Sequence, residues 1–393
     1  MDKVEDLLTR GVANIIPGKQ ELEKVLRASK KLNIYLGIDP TATRIHLGHA
    51  VPLRKLQAFA ELGHNVTFLI GDFTALIGDT SDKDSERPIL TSEEIQQNFQ
   101  TYKKQAEKIL DFSKVKVKFN SEWLNELTFP KIVKLCQHFS TNDFISRELI
   151  RKRLNEGKRV GLHELLYPVM QGYDSFLMDS DIQIGGTDQT FNMQAGRSLQ
   201  KDLRGKESFV MAMEFLMGTD GRKMSKTWGN TIWLEDEPND MYVKVMTIRD
   251  DLIIQCFTLA TNVSLLEIEE MKKELKSNPM EVKKKLAHEI VTELYGKEAA
   301  DMAAGHFKKT VQQKELPEEI PTISLPQSFI SGATISSVLT KTGLAESKSE
   351  AKRLIEQGGV SVDNKIVTDP NSIFRGKLIK VGKRKFTKIQ TSL

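Results

Sequence analysis

A glycine-flanked loop near the middle of the chain, TDGRKMSKTWGN at residues 219–230, carries three cations. Arg222, Lys223 and Lys226 have a single acidic neighbour within the loop, Asp220, so their charges call for an anion from elsewhere. Lysine binds phosphate groups as a point charge. The stretch therefore predicts a phosphate-binding loop, with an ordinary solvated surface loop as the alternative.

A second set of candidate residues lies in YLGIDPTATRIHLGHA, residues 35–50. A helix predicted to begin near His46 puts His46 and His49 on one face of its first turn. Gly48 leaves room for a flat or charged group, and the free N–H groups of a helix start bind phosphate. This spacing favours a nucleotide site over a pair of packed core histidines.

The stretch YPVMQGYD places a phenol, an amide and a carboxylate on one helical face. Tyr167, Gln171 and Asp174 stand at positions i, i+4 and i+7. A carboxylate among apolar neighbours needs a polar partner, so this face predicts a binding site rather than a surface charge. The apolar neighbours are Leu166, Val169, Met170 and Phe176.

Polar residues and paired glycines also follow other predicted strands. Glycines let the main chain approach a ribose or phosphate, and carboxylates accept hydrogen bonds from sugar hydroxyls. The polar stretch at residues 79–88 adds Lys83 and Arg87 as candidate pyrophosphate ligands, with loop solubility as the alternative. The residues after the other strands are Asp39, Gly185, Gly186, Asp188 and Gln189.

The histidine and lysine segments resemble the two signature motifs of class I aminoacyl-tRNA synthetases. HLGH at residues 46–49 is similar to histidine-x-glycine-histidine, and KMSKT at residues 223–227 is similar to lysine-methionine-serine-lysine-serine, with Thr227 in the last place. Essentially the whole chain resembles tyrosyl-tRNA synthetases of the bacterial type. The tryptophanyl enzymes usually have methionine-proline where this chain has tyrosine-proline. The segments that carry the narrower resemblance are YLGIDPT, GDFTALIGD, YPVMQGYD and QIGGTDQTFN.

The resemblance implies a ligase that joins L-tyrosine to ATP as tyrosyl-adenylate, releases pyrophosphate, and transfers the tyrosyl group to the 3′ end of tRNA(Tyr). It also implies a homodimer. Magnesium is expected to arrive with ATP, because no carboxylate cluster has ligand spacing, and no structural metal is expected.

The same resemblance assigns roles to residues. Tyr35 and Asp174 are expected to hold the phenolic hydroxyl of tyrosine, and Tyr167, Gln171 and Asp79 its amino group. The full tyrosine-binding set is Tyr35, Asp79, Tyr167, Gln171, Asp174 and Gln189. The catalytic set is Thr41, His46, His49, Lys223 and Lys226. The ATP-binding set is Gly37, Asp39, His46, Gly48, His49, Gly186, Asp188, Lys223, Met224, Ser225, Lys226 and Thr227.

These residues need a framework, which the pattern of residues 32–216 predicts. Short apolar runs alternate with longer amphipathic segments, as in an α/β, Rossmann-like, doubly wound parallel sheet. Ligands bind such sheets at the carboxyl ends of the strands. The predicted catalytic domain covers residues 1–233. Its inserted segment, at about 120–160, is expected to meet a second subunit and the tRNA acceptor stem through Arg147 and Arg151, and its further cations are Lys152, Arg153, Lys158 and Arg159.

Three further regions follow. Residues 234–315 are predicted to form a helical domain on the anticodon side, and three prolines predict an extended linker at residues 316–329. Residues 330–393 resemble the small α-L RNA-binding fold of a ribosomal small-subunit protein. They hold 12 Lys/Arg against 5 Asp/Glu, a net of +7 in a chain of net +4. Lys348, Lys352 and Arg353 are the candidate RNA contacts, with a solvated basic tail as the alternative.

Composition narrows the class of protein. With 39% hydrophobic and 28% charged residues the 393-residue chain is neither a fibre nor a low-complexity sequence. Cys136 and Cys256 are too far apart in sequence to suggest a disulfide framework or a zinc site. The acid-bearing N-terminus and the lack of an 18-residue apolar run predict a cytoplasmic protein without a membrane segment.

Other functions remain open from the sequence. One is a synthetase for another aromatic amino acid, or an adenylating relative without tRNA, although the basic C-terminal module disfavours the latter. Another is an RNA-binding or regulatory protein that keeps the fold without catalysis, which the intact histidines and lysines disfavour. Pro52 would kink the phosphate-binding helix if that helix began before about His46, and Thr227 keeps the hydroxyl of the usual serine.

Overall fold

The computed structural model describes residues 2–28, 30–79, 90–312, 321–382 and 385–392. The chain divides into two compact units, Met1–Asp236 with Lys244–Leu294, and Glu237–Val243 with Tyr295–Leu393. The first unit thus takes in most of the segment predicted as a separate helical domain. Lys83 and Arg87 lie outside the described residues, so their role stays a prediction.

A six-stranded sheet forms the centre of the first unit. Its strands follow the spatial order β1-β6-β5-β2-β3-β4, and all neighbours are parallel except β1, which runs antiparallel to β6. This confirms the predicted doubly wound parallel sheet, whose strand order reverses between β2 and β5. The strands are β1 (Val12–Ile16), β2 (Asn33–Ile38), β3 (Asn65–Ile70), β4 (Val115–Phe119), β5 (Ile182–Gly186) and β6 (Phe209–Met213).

Helices cover and connect these strands. Parallel strands are buried on both faces, which explains why β6 consists of five buried residues in a row. The helices of this unit and of the segment that leads out of it are α1 (Lys3–Thr9), α2 (Lys19–Arg27), α3 (Leu47–Glu61), α4 (Thr74–Ile77), α5 (Ser92–Ala106), α6 (Ser121–Leu124), α7 (Phe129–Cys136), α8 (Thr141–Ile145), α9 (Glu148–Asn155), α10 (Leu162–Leu177), α11 (Thr190–Arg204), α12 (Pro238–Met246), α13 (Ile253–Ala260), α14 (Leu265–Leu275), α15 (Pro279–Tyr295) and α16 (Lys297–Phe307).

Helices α3 and α10 position several of the predicted site residues. Helix α3 begins at Leu47 and continues through Pro52 to Glu61, so the proline lies inside the helix without ending it. Helix α10 packs closely on α11, because a Cβ at Gly172 would lie 3.1 Å from the backbone of Ala195. The inserted segment packs against the same pair through a small apolar cluster with Leu135 and Phe144 at its centre.

The second unit contains a five-stranded sheet of order β7-β11-β10-β8-β9. Strand β7 pairs with β11, so residues 322–326 belong to this sheet and the prediction of a linker over them is wrong. Prolines at the strand's ends misled the prediction, since they can flank an edge strand as well as a linker. The elements are β7 (Thr322–Pro326), α17 (Gln327–Ile330), α18 (Ile335–Lys341), α19 (Lys348–Glu356), β8 (Val360–Val362), β9 (Lys365–Ile366), β10 (Leu378–Val381) and β11 (Lys385–Ser392).

An apolar core holds this second sheet to α18 and α19. Val338, Leu339, Ala351, Ile355 and Ile379 are fully buried in it. The exposed face of α19 carries the three predicted RNA contacts, Lys348, Lys352 and Arg353. Among the described residues of the whole chain, no helix combines the length and apolar character that crossing a membrane requires.

Candidate active site

A cavity of about 260 Å³ opens at the carboxyl ends of the central strands. Residues from β2, β3, β5 and α10 line it, as the parallel sheet predicted. The structure therefore brings together residues that are far apart in the sequence. The predicted site residues that line it are Tyr35, Gly37, Asp39, Thr41, His49, Asp79, Tyr167, Gln171, Asp174, Gly186, Asp188 and Gln189.

The paired histidines form the start of α3. His46 is the N-cap residue, and its Nδ1 accepts a hydrogen bond from Gly48 N at 3.1 Å. The two imidazole rings stack with centroids 3.8 Å apart. A Cβ at Gly48 would lie only 2.9 Å from His46 Nδ1, so a side chain there would displace the His46 ring.

His46 is held in its neutral form. Burial, followed by the nearby His49 and Lys223, lowers its pKa to about 2. A neutral imidazole can donate one hydrogen bond and accept one, so His46 caps the helix without adding a full charge to the site.

Asp174 lines the cavity and is buried. Trp123 Nε1 donates to its Oδ1 at 2.7 Å, and Asn120 Nδ2 donates to its Oδ2 at 3.1 Å. Burial raises the pKa of Asp174 to about 8, although these two hydrogen bonds oppose the rise. The polar partner that the sequence analysis required for Asp174 thus exists within the protein. Neither Asn120 nor Trp123 was predicted, because both follow β4 and no local spacing relates them to α10.

The hydroxyl of Tyr35 does not bond Asp174 in this structure. It donates instead to Oε1 of the fully buried Gln183 at 3.0 Å, and Gln183 Nε2 is fixed by the carbonyl of Met193. Burial, with Asp174 as a second cause, raises the pKa of Tyr35 well above its usual range. Tyr35 therefore stays protonated, and its oxygen can still accept a hydrogen bond from a ligand.

A chain of hydrogen bonds connects Asp174 to Asp39, the carboxylate that directly follows β2. Tyr167 donates to Asp39 Oδ2 at 2.8 Å, and Thr74 donates to Asp39 Oδ1 at 2.8 Å. Asn120 donates to the Thr74 hydroxyl at 2.9 Å and also to Asp174. This network fixes the side chains before any ligand binds. Within it Asp39 orients Tyr167, a contact that the sequence did not suggest.

A further pair lies where the amino acid's polar end is expected. Gln189 Nε2 donates to Asp79 Oδ2 at 2.6 Å, and Asn192 donates to Gln189 Oε1 at 3.0 Å. The two predicted tyrosine-binding residues Asp79 and Gln189 are therefore direct neighbours. Asn192, in the first turn of α11, was not predicted.

The lysine loop reaches this site through one residue. Lys223 Nζ lies 3.1 Å from Asp188 Oδ2 and 3.8 Å from the centroid of the Phe215 ring. The anion missing from the loop's own sequence is thus supplied, in this structure, by a carboxylate that follows β5. The two residues are 35 positions apart, so no local pattern of the sequence predicted this ion pair.

The remainder of the loop is arranged around Asn230, which is buried. Asn230 Nδ2 donates to Asp220 Oδ1 at 2.7 Å, and its Oδ1 accepts from Ser225 N at 2.9 Å. Met224 is also buried, whereas Lys226 and Thr227 are exposed. The loop therefore has a fixed base and an exposed tip.

The predicted acceptor-stem cations differ in accessibility. Arg153 is fully buried and forms a bidentate pair with Glu164 at 2.6 and 3.1 Å, so it holds α9 to α10 and is not available to RNA. Arg147 is half-buried over the Phe191 ring, and burial lowers its pKa. Arg151 is exposed, so it remains the better candidate of the two named contacts.

Comparison with known proteins places this geometry in a class. Residues 27–312 match the family described as tRNA synthetases class I (W and Y), and residues 335–379 match the S4 domain. A histidine-capped helix beside the carboxyl ends of a parallel sheet, with an amino-acid-sized cavity, is consistent with that class.

Individual relatives narrow the class. The chain is 44% identical to the tyrosine–tRNA ligase of Carboxydothermus hydrogenoformans, over 98% of this chain and 97% of that protein. It is 42% identical to the tyrosine–tRNA ligase of Thermotoga maritima, over 98% of this chain and 96% of that protein. The chain therefore belongs to the tyrosine–tRNA ligase family of class I synthetases.

A solved structure agrees in fold. The tyrosyl-tRNA synthetase complexed with L-tyrosine from Archaeoglobus fulgidus superposes with a TM-score of 0.61 at 24% identity, over 78% of this chain and 100% of that chain. At this identity the similarity concerns the fold alone. The predicted family and fold are confirmed, whereas the roles of single residues stay predictions.

Proposed function

We propose that this chain activates L-tyrosine with ATP and transfers the tyrosyl group to tRNA(Tyr). The observation that carries the proposal is a buried carboxyl, Asp174, in a small cavity that His49 from the first turn of α3 also lines. A phenolic hydroxyl both donates and accepts, so it pairs with Asp174 in either protonation state and with Tyr35. Phenylalanine would make neither of these hydrogen bonds and would cover the polar atoms with an apolar ring edge.

In the first step a carboxylate oxygen of tyrosine attacks the α-phosphorus of ATP. A new carboxyl-to-phosphorus bond forms, the bond to the β-phosphate bridging oxygen breaks, and pyrophosphate leaves. No nucleophile from the protein is needed, so catalysis comes from positioning and from stabilising charge on the phosphates. His49 and Thr41 would hold phosphates beside the start of α3. The first N–H groups of that helix already have acceptors, since Leu47 N donates to the carbonyl of Ile232 and Gly48 N to His46, so they are not free for phosphate.

In the second step a ribose hydroxyl at the 3′ end of tRNA attacks the tyrosyl carbonyl carbon. The ester bond to ribose forms, the bond to AMP breaks, and the hydroxyl proton leaves with AMP or solvent. Magnesium would accompany the ATP phosphates. The described residues contain no group of three or more His, Cys, Asp or Glu side chains that could hold a metal ion.

The lysine loop would act on the leaving pyrophosphate. Lys223 is paired with Asp188, which the family resemblance places in the ATP-binding set. When ATP binds, Lys223 would leave Asp188 for a phosphate, and Asp188 would accept hydrogen bonds from the ribose hydroxyls. Lys226, at the exposed tip, would join Lys223 when the loop closes. The two cations would then oppose the charge that builds up in the transition state.

Two further parts of the proposal concern partners. A homodimer is supported by apolar side chains that are exposed in and beside the inserted segment, namely Phe129 at 77%, Val133 at 45% and Leu162 at 74%. We expect the unaltered chain to sediment as a dimer and Phe129→Asp as a monomer. A monomeric unaltered chain would contradict the homodimer.

The second partner is tRNA, which would meet the exposed basic face of α19. A cytosolic location stays a prediction.

The test is exchange of labelled pyrophosphate into ATP. We expect exchange that depends on tyrosine and is far slower with phenylalanine, because only tyrosine pairs with Asp174. Equal exchange with phenylalanine would contradict the substrate, and no exchange with any amino acid would contradict the activity.

A further inference from the structure

A buried amide stands directly behind the active-site cavity. Asn192 lies in the first turn of α11 and is fully buried. Gln189 and Asp79 are among the described residues that line the cavity, and Asn192 is not. Asn192 Nδ2 donates to Gln189 Oε1 at 3.0 Å, and Gln189 Nε2 donates to Asp79 Oδ2 at 2.6 Å. Two consecutive hydrogen bonds thus link Asn192 to the carboxylate of Asp79.

These two hydrogen bonds fix the direction in which the Gln189 amide faces. A side-chain amide has a donor end and an acceptor end of nearly the same shape. An ionised carboxylate only accepts, so Asp79 takes the donor end, and the amino group of Asn192 takes the acceptor end. Without Asn192, Gln189 Oε1 would lose this hydrogen bond, and the amide would be freer to turn away from Asp79.

The burial of Asn192 favours a positioning role over a packing role. Its Oδ1 is buried and has no hydrogen-bond partner among the described residues. A buried carbonyl without a partner lowers stability, and an apolar side chain at this position would avoid that loss. The amide group of Asn192 is therefore explained by its Nδ2, which holds Gln189.

The same turn of α11 also supports Tyr35, by a separate route. The carbonyl of Met193 accepts from Gln183 Nε2 at 3.0 Å, and Gln183 Oε1 accepts from the Tyr35 hydroxyl at 3.0 Å. Because this route uses a main-chain carbonyl, a change of the Asn192 side chain should leave it in place. Loss of Asn192 should therefore affect Asp79 and spare Tyr35.

We propose that Asn192 is a positioning residue for the amino group of the amino-acid substrate. It holds Gln189, and Gln189 holds the Asp79 carboxylate in the orientation that pairs with an ammonium group. The inference rests on the proposed function, in which Asp79 binds the amino group of tyrosine. It adds a residue that does not itself touch the substrate and to which the family resemblance gave no role.

The experiment measures the binding of three ligands to the full chain by calorimetry. L-Tyrosine carries a phenol, an ammonium and a carboxylate, tyramine lacks the carboxylate, and 3-(4-hydroxyphenyl)propionate lacks the ammonium. We expect Asn192→Ala to weaken the binding of tyrosine and of tyramine about tenfold, because both pair with Asp79. The binding of 3-(4-hydroxyphenyl)propionate should stay within about twofold, since it has no group for Asp79. A change in general stability would not separate ligands by their amino group.

Gln200→Ala is the matched control. Gln200 is another fully buried amide of α11, and its Oε1 also has no partner in the part of the chain that the structure describes. Its Nε2 donates to the carbonyls of Ser175 and Ser180 rather than toward Gln189. Gln200→Ala should leave all three affinities within about twofold. Equal losses for the three ligands in Asn192→Ala, or the same selective loss in Gln200→Ala, would overturn the proposal.

If Asn192→Ala does not fold, crystals of the unaltered chain with L-tyrosine decide. An ammonium bound to Asp79, with Gln189 still held by Asn192, supports the proposal, and an ammonium without contact to Asp79 overturns it. An unaltered chain that does not bind tyrosine at all would instead contradict the proposed function, on which this inference rests.

Discussion

The two ends of the active site are built in opposite ways. At the end where we propose that tyrosine binds, Asp174 is 2% exposed and is already held by Asn120 and Trp123. At the end proposed for the phosphates, the side chain of Lys223 is 40% exposed and has one ion pair, while Lys226 is exposed at the tip of its loop.

The difference fits what the proposed function requires of each end. Choosing an amino acid by one hydroxyl requires donors and acceptors that are fixed before the ligand arrives, so that a ligand without the hydroxyl forms fewer hydrogen bonds with them. Stabilising a leaving pyrophosphate requires cations that can move in when charge develops and move out to release it. Variants at the two ends should therefore affect different steps.

The largest effect is expected from Asp174→Ala. The change removes the acceptor for Asn120 and Trp123 as well as for the substrate hydroxyl, and each lost hydrogen bond costs about 1–3 kcal/mol. We expect kcat/KM for tyrosine in pyrophosphate exchange to fall by about 10³-fold or more, with the KM for ATP nearly unchanged.

Two further variants sharpen that result. Trp123→Phe removes a single donor and should cost about tenfold. Asp202→Ala alters an exposed aspartate on α11 and should have no effect. A rise in the KM for ATP equal to the loss for tyrosine would mean that Asp174 supports the whole site rather than its tyrosine end.

We expect the next largest effect from Lys223→Ala, which should slow adenylate formation. Lys226→Ala should slow the same step. Loss of one positioned cation at a transferring phosphate costs about 10²–10³-fold in rate. Adenylate formation in a single turnover should slow by this factor, while the Kd for tyrosine measured by equilibrium binding stays within about twofold.

Arg222→Ala is the control within the same loop. Arg222 pairs with Asp220 at 2.5 Å and stacks over Trp228, so it is engaged away from the cavity. Equal losses of rate and of tyrosine affinity in Lys223→Ala would instead indicate that the loop shapes the tyrosine end.

The smallest expected effect is on stability. Burial raises the pKa of Asp174 from 3.8 to about 8, so the folded state holds the proton more tightly than the unfolded chain does. Its stabilising contribution is full below pH 3.8 and is lost as pH rises through about 8. Between about pH 5 and about pH 9, the Tm of the unaltered chain should fall by a few degrees relative to Asp174→Asn. Parallel Tm profiles of the two proteins would contradict the raised pKa.

The sequence by itself determined the class of fold and most of the site. Apolar runs of strand length that alternate with amphipathic segments specify a parallel sheet, and that sheet brings its strand ends together at one edge. The spacing of His46 and His49, and of Tyr167 and Asp174, followed from helical periodicity alone. These features are local, so a linear pattern contains them.

Only the tertiary structure decided which side chains these site residues contact. Asn120 and Trp123 reach Asp174 across 54 and 51 residues of chain, Tyr35 finds Gln183 across 148, and Lys223 finds Asp188 across 35. The pairing of strand β7 and the burial of Arg153 were likewise hidden, because burial and pairing depend on which elements pack together. Local spacing fixes which face of an element a side chain occupies, whereas the neighbouring element fixes what that side chain meets.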